Sequence, residues 1–276
     1  TSLNLKEVLA KSGTQKINFL SGEDIYNLTV NDGSTTELHC VDTTSGLLDV
    51  YGDVVVNEKL RSPSSGSTNT ALRFREVKTL TVGSDVKTTA LSDLYMLNLR
   101  HSNGTIDLPE LTTQRVILAS STNCTARATG DLTITQELEL GGGRTFNANG
   151  NTIALKTLDN NGGALDLRNS NMEFSVTGSG DSCDFGGQYG GTLLTGNTTI
   201  TGHSSGNKTG VYARAVGNFE VVGTIKFLNI QADGDGDLTV IGSVIDCTAA
   251  AGAGLRQFHH TLDTQQLLDA DEAGDD

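Results

Sequence analysis

From residue 16 onward, apolar side chains recur as alternating pairs with one residue between them: Ile17 and Phe19, Leu28 and Val30, Leu48 and Val50, Val54 and Val56. A period of two marks a half-buried strand, because successive side chains of an extended chain point to opposite faces. The pattern continues through Leu72/Phe74, Leu80/Val82, Leu97/Leu99, Ile106/Leu108 and Val116/Leu118. The stretch GDLTITQELELGGG (130–143) carries Leu132/Ile134 and Leu138/Leu140 and closes on three glycines. Further pairs follow at Ile153/Leu155, Leu165/Leu167, Phe174/Val176, Phe219/Val221, Ile225/Phe227, Leu238/Val240 and Val244 with Ile245. The intervals hold turn formers such as NGNT, DNNGG, GSGDS and ADGDGD. Many short strands broken by Gly, Asn and Asp predict an all-β chain.

Three features point to a β-helix or β-solenoid-like stack of short strands. Strands of three to five residues suit a coil that makes one strand per face. Asn/Gly-rich corners supply the positive φ angles that tight corners require. A narrow interior suits Leu, Ile and Val, with few aromatics. The spacing shows no strict period, and jelly-roll or β-sandwich domains are the alternative architecture.

The two ends follow a different rhythm. Asn4 and Glu7 have the spacing of a capping box, Leu5, Val8 and Leu9 form an apolar stripe, and Gly13 is a stop signal, so a short N-terminal helix is expected. Alone in water such a helix is marginal, and it needs something to dock on. In GLRQFHHTLDTQQLLDADEAGDD, Leu255, Phe258 and Leu262 recur at helical spacing, ahead of Leu267/Leu268 and an acidic tail. The resulting division is an N-terminal attachment region (1–60), a linker or exposed loop RSPSSGSTNT (61–70), a β-rich body (71–248) and a C-terminal helical segment (249–276).

Composition narrows the functional classes. The chain is 36% hydrophobic and 5% aromatic, with no Trp and 2 Pro against 33 Gly, so its core is lean and aliphatic. The net charge is -14, and Asp263, Asp269, Asp271, Glu272, Asp275 and Asp276 follow the last basic residue, Arg256. Wrapping nucleic acid requires clustered Lys and Arg, which argues against that partner. Cys40, Cys124, Cys183 and Cys247 show no C-x-x-C spacing, so buried free thiols in a reducing cytoplasm are expected. No stretch approaches the ~18 apolar residues of a membrane span, and TSLNLKEVLAKSG holds no apolar signal region. The sequons at Asn27, Asn103, Asn123, Asn197 and Asn207 are what an Asn- and Thr-rich chain produces by chance.

Each candidate chemical motif has a simpler reading. GHSSG (202–206) matches the G-x-S-x-G elbow with Ser204 as nucleophile and Asp233 and His259 in triad order. The following GNKTGVYARAVG has no helical stripe, and a polar loop is expected. Asp233, Asp235 and Asp237 have the spacing of the first calcium-loop ligands, but Val244 stands where the bidentate Glu belongs, so a solvated turn is expected. His259 and His260 are adjacent and do not share a helical face, unlike an i, i+4 metal pair. Cys183 lies between Asp181 and Asp184, which disfavours a thiolate. Thr-x-Thr runs at 79–81 and 133–135 are too few for a flat threonine array. Carboxylate pairs on adjacent rungs, as used in glycoside cleavage, cannot be aligned from sequence. Substrate-stacking aromatics are sparse, with Tyr26, Tyr51, Tyr95, Tyr189 and Tyr212 scattered. No catalytic residue, metal ligand or cofactor is therefore expected.

The Thr/Asn/Gly-rich β phrases of residues 16–248, with a short attachment-like N-terminal segment and no compact catalytic signature, resemble virion proteins of tailed bacteriophages: tail fibres, spikes and head decoration proteins. The resemblance is compositional and transfers no functional residue. It implies a non-enzymatic structural protein of the virion, made in the host cytoplasm. Homotrimeric assembly is expected, since closed symmetry hides strand edges. Contacts with capsid, portal or tail proteins would fall at about residues 1–30 and 250–276. A host-surface glycan is a further candidate partner. The alternatives are a polysaccharide-binding or polysaccharide-cleaving β-helix, or a surface adhesin.

Overall fold

The computed structural model describes residues 6–9, 13–31, 33–63, 69–101, 103–118, 123–174, 183–184, 191–201, 213–216, 219–225, 230–232 and 238–245, with side chains described for those between 13 and 201 other than 34, 183, 184 and 191. The secondary structure of these residues is entirely β. Among the described residues every pairing between strands is parallel, which makes the fold a β-solenoid rather than an antiparallel jelly-roll or sandwich.

Four ladders run through the stack. The longest joins eleven strands in unbroken order: Asp24–Ile25, Ser45–Val50, Asn69–Phe74, Met96–Leu99, Leu111–Leu118, Leu132–Gly141, Thr152–Asn161, Asn171–Phe174, Thr198–Thr201, Phe219–Ile225 and Leu238–Ile245. Cys183–Asp184 pairs with Thr152–Asn161 off this path. A second ladder of seven strands begins at Thr105–Leu108, Thr125–Ala128, Thr145–Asn147 and Ala164–Asp166. Two shorter ladders lie towards the N-terminus. One holds Lys6–Leu9, Asn27–Val30, Val54–Val56 and Leu80–Val82; the other holds Gly13–Phe19, Ser34–Cys40 and Leu60–Arg61.

The alternating pairs do what their spacing predicts. From Ile17/Phe19 to Leu165/Leu167, their side chains point inward and are buried in one continuous cluster. Stacking in register builds columns, such as Leu48 beside Leu72 beside Leu97, so each coil covers the apolar face of the next. Each fully buried aliphatic or Phe side chain contributes about 1.5–3 kcal/mol relative to exposure. The buried Asn160 is bonded locally: it donates to the carbonyl of Gly163 (3.2 Å) and accepts from its N–H (2.7 Å).

Corners turn on left-handed residues, as the Asn/Gly clusters suggest. Asn149 and Gly150 in NANGNT have φ of 52° and 81°, and Gly162 in DNNGG has φ of 91°. Asn169 (56°) and Asn197 (50°) repeat the device on later coils. The side-chain amide of Asn197 donates to that of Asn169 at 3.1 Å and ties one corner to the next. Asparagine accepts this region more readily than other residues with a Cβ, because its short polar group bonds locally.

The N-terminal helix expectation is overturned. Lys6–Leu9 is a strand, and each of its residues has a register partner in Asn27–Val30. A short helix has little stability of its own, whereas pairing with Asn27–Val30 continues an existing parallel ladder. The expected helical segment 249–276 lies outside the described residues. The polar segment 61–70 joins Leu60–Arg61 to Asn69–Phe74, and the pairing of Ser45–Val50 with Asn69–Phe74 and of Val54–Val56 with Leu80–Val82 spans it. Ser62 is built into that passage: its hydroxyl donates to the Thr70 carbonyl at 2.8 Å and accepts from the Tyr95 N–H at 3.0 Å.

Candidate functional site

Outward-facing residues of the longest ladder form a single register column: Asp24, Asp49, Arg73, Asn98, Ile117, Glu139 and Asp159, with Asp184 as the next backbone partner. In a parallel stack each position lies ~4.8 Å from its partner on the next coil, so neighbouring charges interact strongly. At the upper end opposite charges meet. Asp49, whose side chain is 2% exposed, is clamped by Arg73 and Arg75. The Arg73 Nη2 reaches it at 2.6 Å and the Arg75 Nε at 3.0 Å.

The lower end concentrates acid. Glu139 and Asp159 are register partners, and Glu137 lies two residues before Glu139 on the same face. The one guanidinium that tempers Glu139 belongs to Arg115, which is paired with Glu137. Arg115 also donates to the Tyr95 hydroxyl at 2.8 Å, and its guanidinium carbon lies 5.5 Å from the ring centroid. Burial first, then the charges of Glu137 and Asp159, push the Glu139 carboxyl above its ordinary value, while Arg115 pulls it back. The face therefore holds one carboxyl that keeps its proton more readily than usual, beside two further acids.

The sign of this shift gives a stability prediction. A raised carboxyl pKa means that the fold favours the protonated form. That contribution is fully present below the usual value of 4.5 and is lost as pH rises through the raised one. Glu139→Gln removes the charge but keeps the shape. Its urea midpoint is expected to exceed that of the parent at pH 8 and to match it at pH 4. A gain at pH 4 equal to that at pH 8 would contradict the repulsion argued here.

A second outward feature lies on the seven-strand ladder. Asp107, Arg127, Asn147 and Asp166 are successive register partners. Arg127 holds Asp107 through two bonds of 2.8 Å, and Arg168 holds Asp166 through bonds of 2.8 and 2.6 Å. Between the coils that carry Thr145–Asn147 and Ala164–Asp166, the residues Asn147, Asn149, Gly150, Asp166, Arg168 and Asn169 line a polar hollow of about 360 Å³.

Most of the motifs read from sequence fall outside the described residues. Ser204, Asp233, Asp235, Asp237, His259 and His260 lie outside the described residues, as do Asp181, Tyr189, Tyr212 and Cys247. Cys183 and Asp184 form a short strand beside Leu158 and Asp159. Cys40 and Cys124 are buried free thiols, and burial raises the Cys124 pKa. Thr133 has Thr112 and Ala154 as partners, so the 133–135 run does not extend into a threonine column. Among the described residues, no group of three or more His, Cys, Asp or Glu is placed to hold a metal ion, and no helix is long and apolar enough to cross a membrane. The Glu137/Glu139/Asp159 face could not be found by spacing. Glu139 and Asp159 become neighbours through the length of one coil, and no local motif records it.

The fold thus defines the class: a parallel β-solenoid with charged outer columns. Comparison with family models, with curated proteins and with solved structures finds no match to this chain.

Proposed function

We propose that this chain is a non-enzymatic structural protein of a virus particle, a stiff β-solenoid fibre, spike or decoration fastened through its ends. One observation carries the reading: the unbroken parallel ladder of eleven strands, stitched on the outside by the Arg73–Asp49 and Arg115–Glu137 ion pairs, with Arg61–Glu37 and Arg127–Asp107 bridging coils on the other ladders. Backbone bonds along the stack axis resist bending, and charged side chains engaged between coils serve the shaft. Among the described residues, the outermost strands of the long ladder, Asp24–Ile25 and Leu238–Ile245, each pair on one side only, and such edges are a natural place for a capsid, portal or tail partner or for a copy of the chain in a trimer. The test is to image the purified chain and to probe purified particles for it. Rods in the images and a fixed copy number per particle are expected. A chain found only in host lysate, never with particles, would sink the proposal.

A second reading, a polysaccharide-cleaving β-helix, draws on the Glu137/Glu139/Asp159 face, where one carboxyl is held above its ordinary range beside another one coil away. Release of reducing ends from host-surface polysaccharide, abolished by both Glu139→Gln and Asp159→Asn, would favour it over the scaffold. No release by the parent chain would remove it.

A further inference from the structure

The hollow on the seven-strand ladder has a donor and acceptor inventory that its own coils do not use up. The Asn147 Oδ1 accepts from the Asn149 N–H at 2.8 Å, and the Asn149 amide donates to the Ala128 carbonyl at 3.0 Å. The Asn169 Oδ1 accepts from Asn197 at 3.1 Å. Arg168 spends Nε and Nη2 on Asp166. Left over among the described residues are the amide donors Nδ2 of Asn147 and Nδ2 of Asn169, the guanidinium Nη1 of Arg168 and the acceptor Oδ1 of Asn149. All four belong to residues that line the same hollow.

The chemistry of the lining selects a ligand class. The volume, about 360 Å³, falls within the span of small-ligand sites, but the side chains around it are amide, carboxylate and guanidinium, so an apolar ligand has no wall to pack on. Spare N–H groups repel a bare cation. An anion meets Asp166, whose charge already balances that of Arg168. Hydroxyl groups both donate and accept, and they match a mixed amide surface. Gly150, at φ 81°, presents no side chain to the hollow and leaves room for close approach.

We propose that this hollow is a binding subsite for a neutral hexose unit of a polysaccharide, with Asn147 and Asn169 donating to its hydroxyls from adjacent coils. The inference does not rest on the scaffold reading. A shaft that binds no glycan and a glycan binder found on no particle are distinct results.

The test uses the full chain in affinity electrophoresis through gels containing dextran, galactomannan or polygalacturonate, the last as an acidic comparator. Two variants probe the donors: Asn169→Gly, which keeps the left-handed corner without strain, and Asn147→Ala. Melting curves of both check that the stack is intact, and Asn169→Gly guards against a loss of binding caused by a collapsed corner. Retardation by dextran or galactomannan is expected, weakened about tenfold in each variant while the melting curve still shows a folded stack at the assay temperature. Retardation by polygalacturonate alone, retardation by none of the three, or variants that bind as tightly as the parent would overturn the proposal.

Discussion

Phe146→Ala is expected to destabilise the stack by about 3–5 kcal/mol, read as a lower urea midpoint. Phe146 is fully buried and lies in an interior column with Ile106, Ala126, Leu165 and Leu193. Its neighbour on one side is an alanine and on the other a leucine, so large and small side chains alternate where the column needs volume. Removing the ring leaves two alanines in successive coils and a void that rigid backbone ladders on both sides cannot close. Partial collapse is what makes some large-to-small substitutions mild, and parallel strands held by their own hydrogen bonds have little freedom for it. The double variant Ala126→Phe/Phe146→Ala keeps the column's volume and moves the ring by one coil. It should recover part of the loss, and the cycle reads the coupling between the two positions. Because each coil of a solenoid touches mainly its neighbours, Phe146→Ala should also broaden the transition or split it at this coil. A loss below about 1 kcal/mol would mean that the interior is looser than its burial indicates.

The strands were legible in the sequence because burial there obeys a local rule. Leu132/Ile134, Leu138/Leu140 and Ile153/Leu155 alternate with outward residues, and each pair is buried. Register was not legible, because it depends on coil length, which varies along the stack. Hydrogen bonds between neighbouring coils span 24 residues at Asp49 and Arg73, 26 at Asn27 and Asp53, 20 at Asp107 and Arg127, 22 at Gln114 and Gln136, and 28 at Asn169 and Asn197. A repeat that drifts this far leaves no fixed period to detect. Interior positions filled by Ala126, Thr113 or Asn160 also escape a reading keyed to Leu, Ile and Val. The N-terminal segment failed for a related reason: Leu5, Val8 and Leu9 fit a helical stripe, and only the strand at Asn27–Val30 decides against it. The acidic face around Glu139 and the amide hollow share this property. Their residues come together across coils, and no stretch of sequence contains either one.

Asp49→Ala is expected to cost about 3–5 kcal/mol, although Asp49 sits on the outward column where a surface aspartate would be dispensable. Its side chain is 2% exposed because Arg73 and Arg75 close over it. Arg73 is its register partner on one side, while Asp24 is its partner on the other. Deleting the carboxylate leaves two guanidiniums, 14% and 30% exposed, side by side without the anion that gathered them. An exposed ion pair would give back no more than about 1 kcal/mol. The larger figure applies here because removing one partner strands charge that water reaches poorly. Arg73→Ala is the informative comparison, since Arg75 still holds the carboxylate at 3.0 Å and the loss should be smaller. Replacing both partners, as Asp49→Leu with Arg73→Leu, removes the pair and its desolvation cost together, and should sit closer to the parent than Asp49→Ala does. Urea midpoints of the four proteins decide the matter. If Asp49→Ala lies within about 0.5 kcal/mol of the parent, the clamp adds nothing to the cohesion of the first coils, and the outer column is a solvated surface.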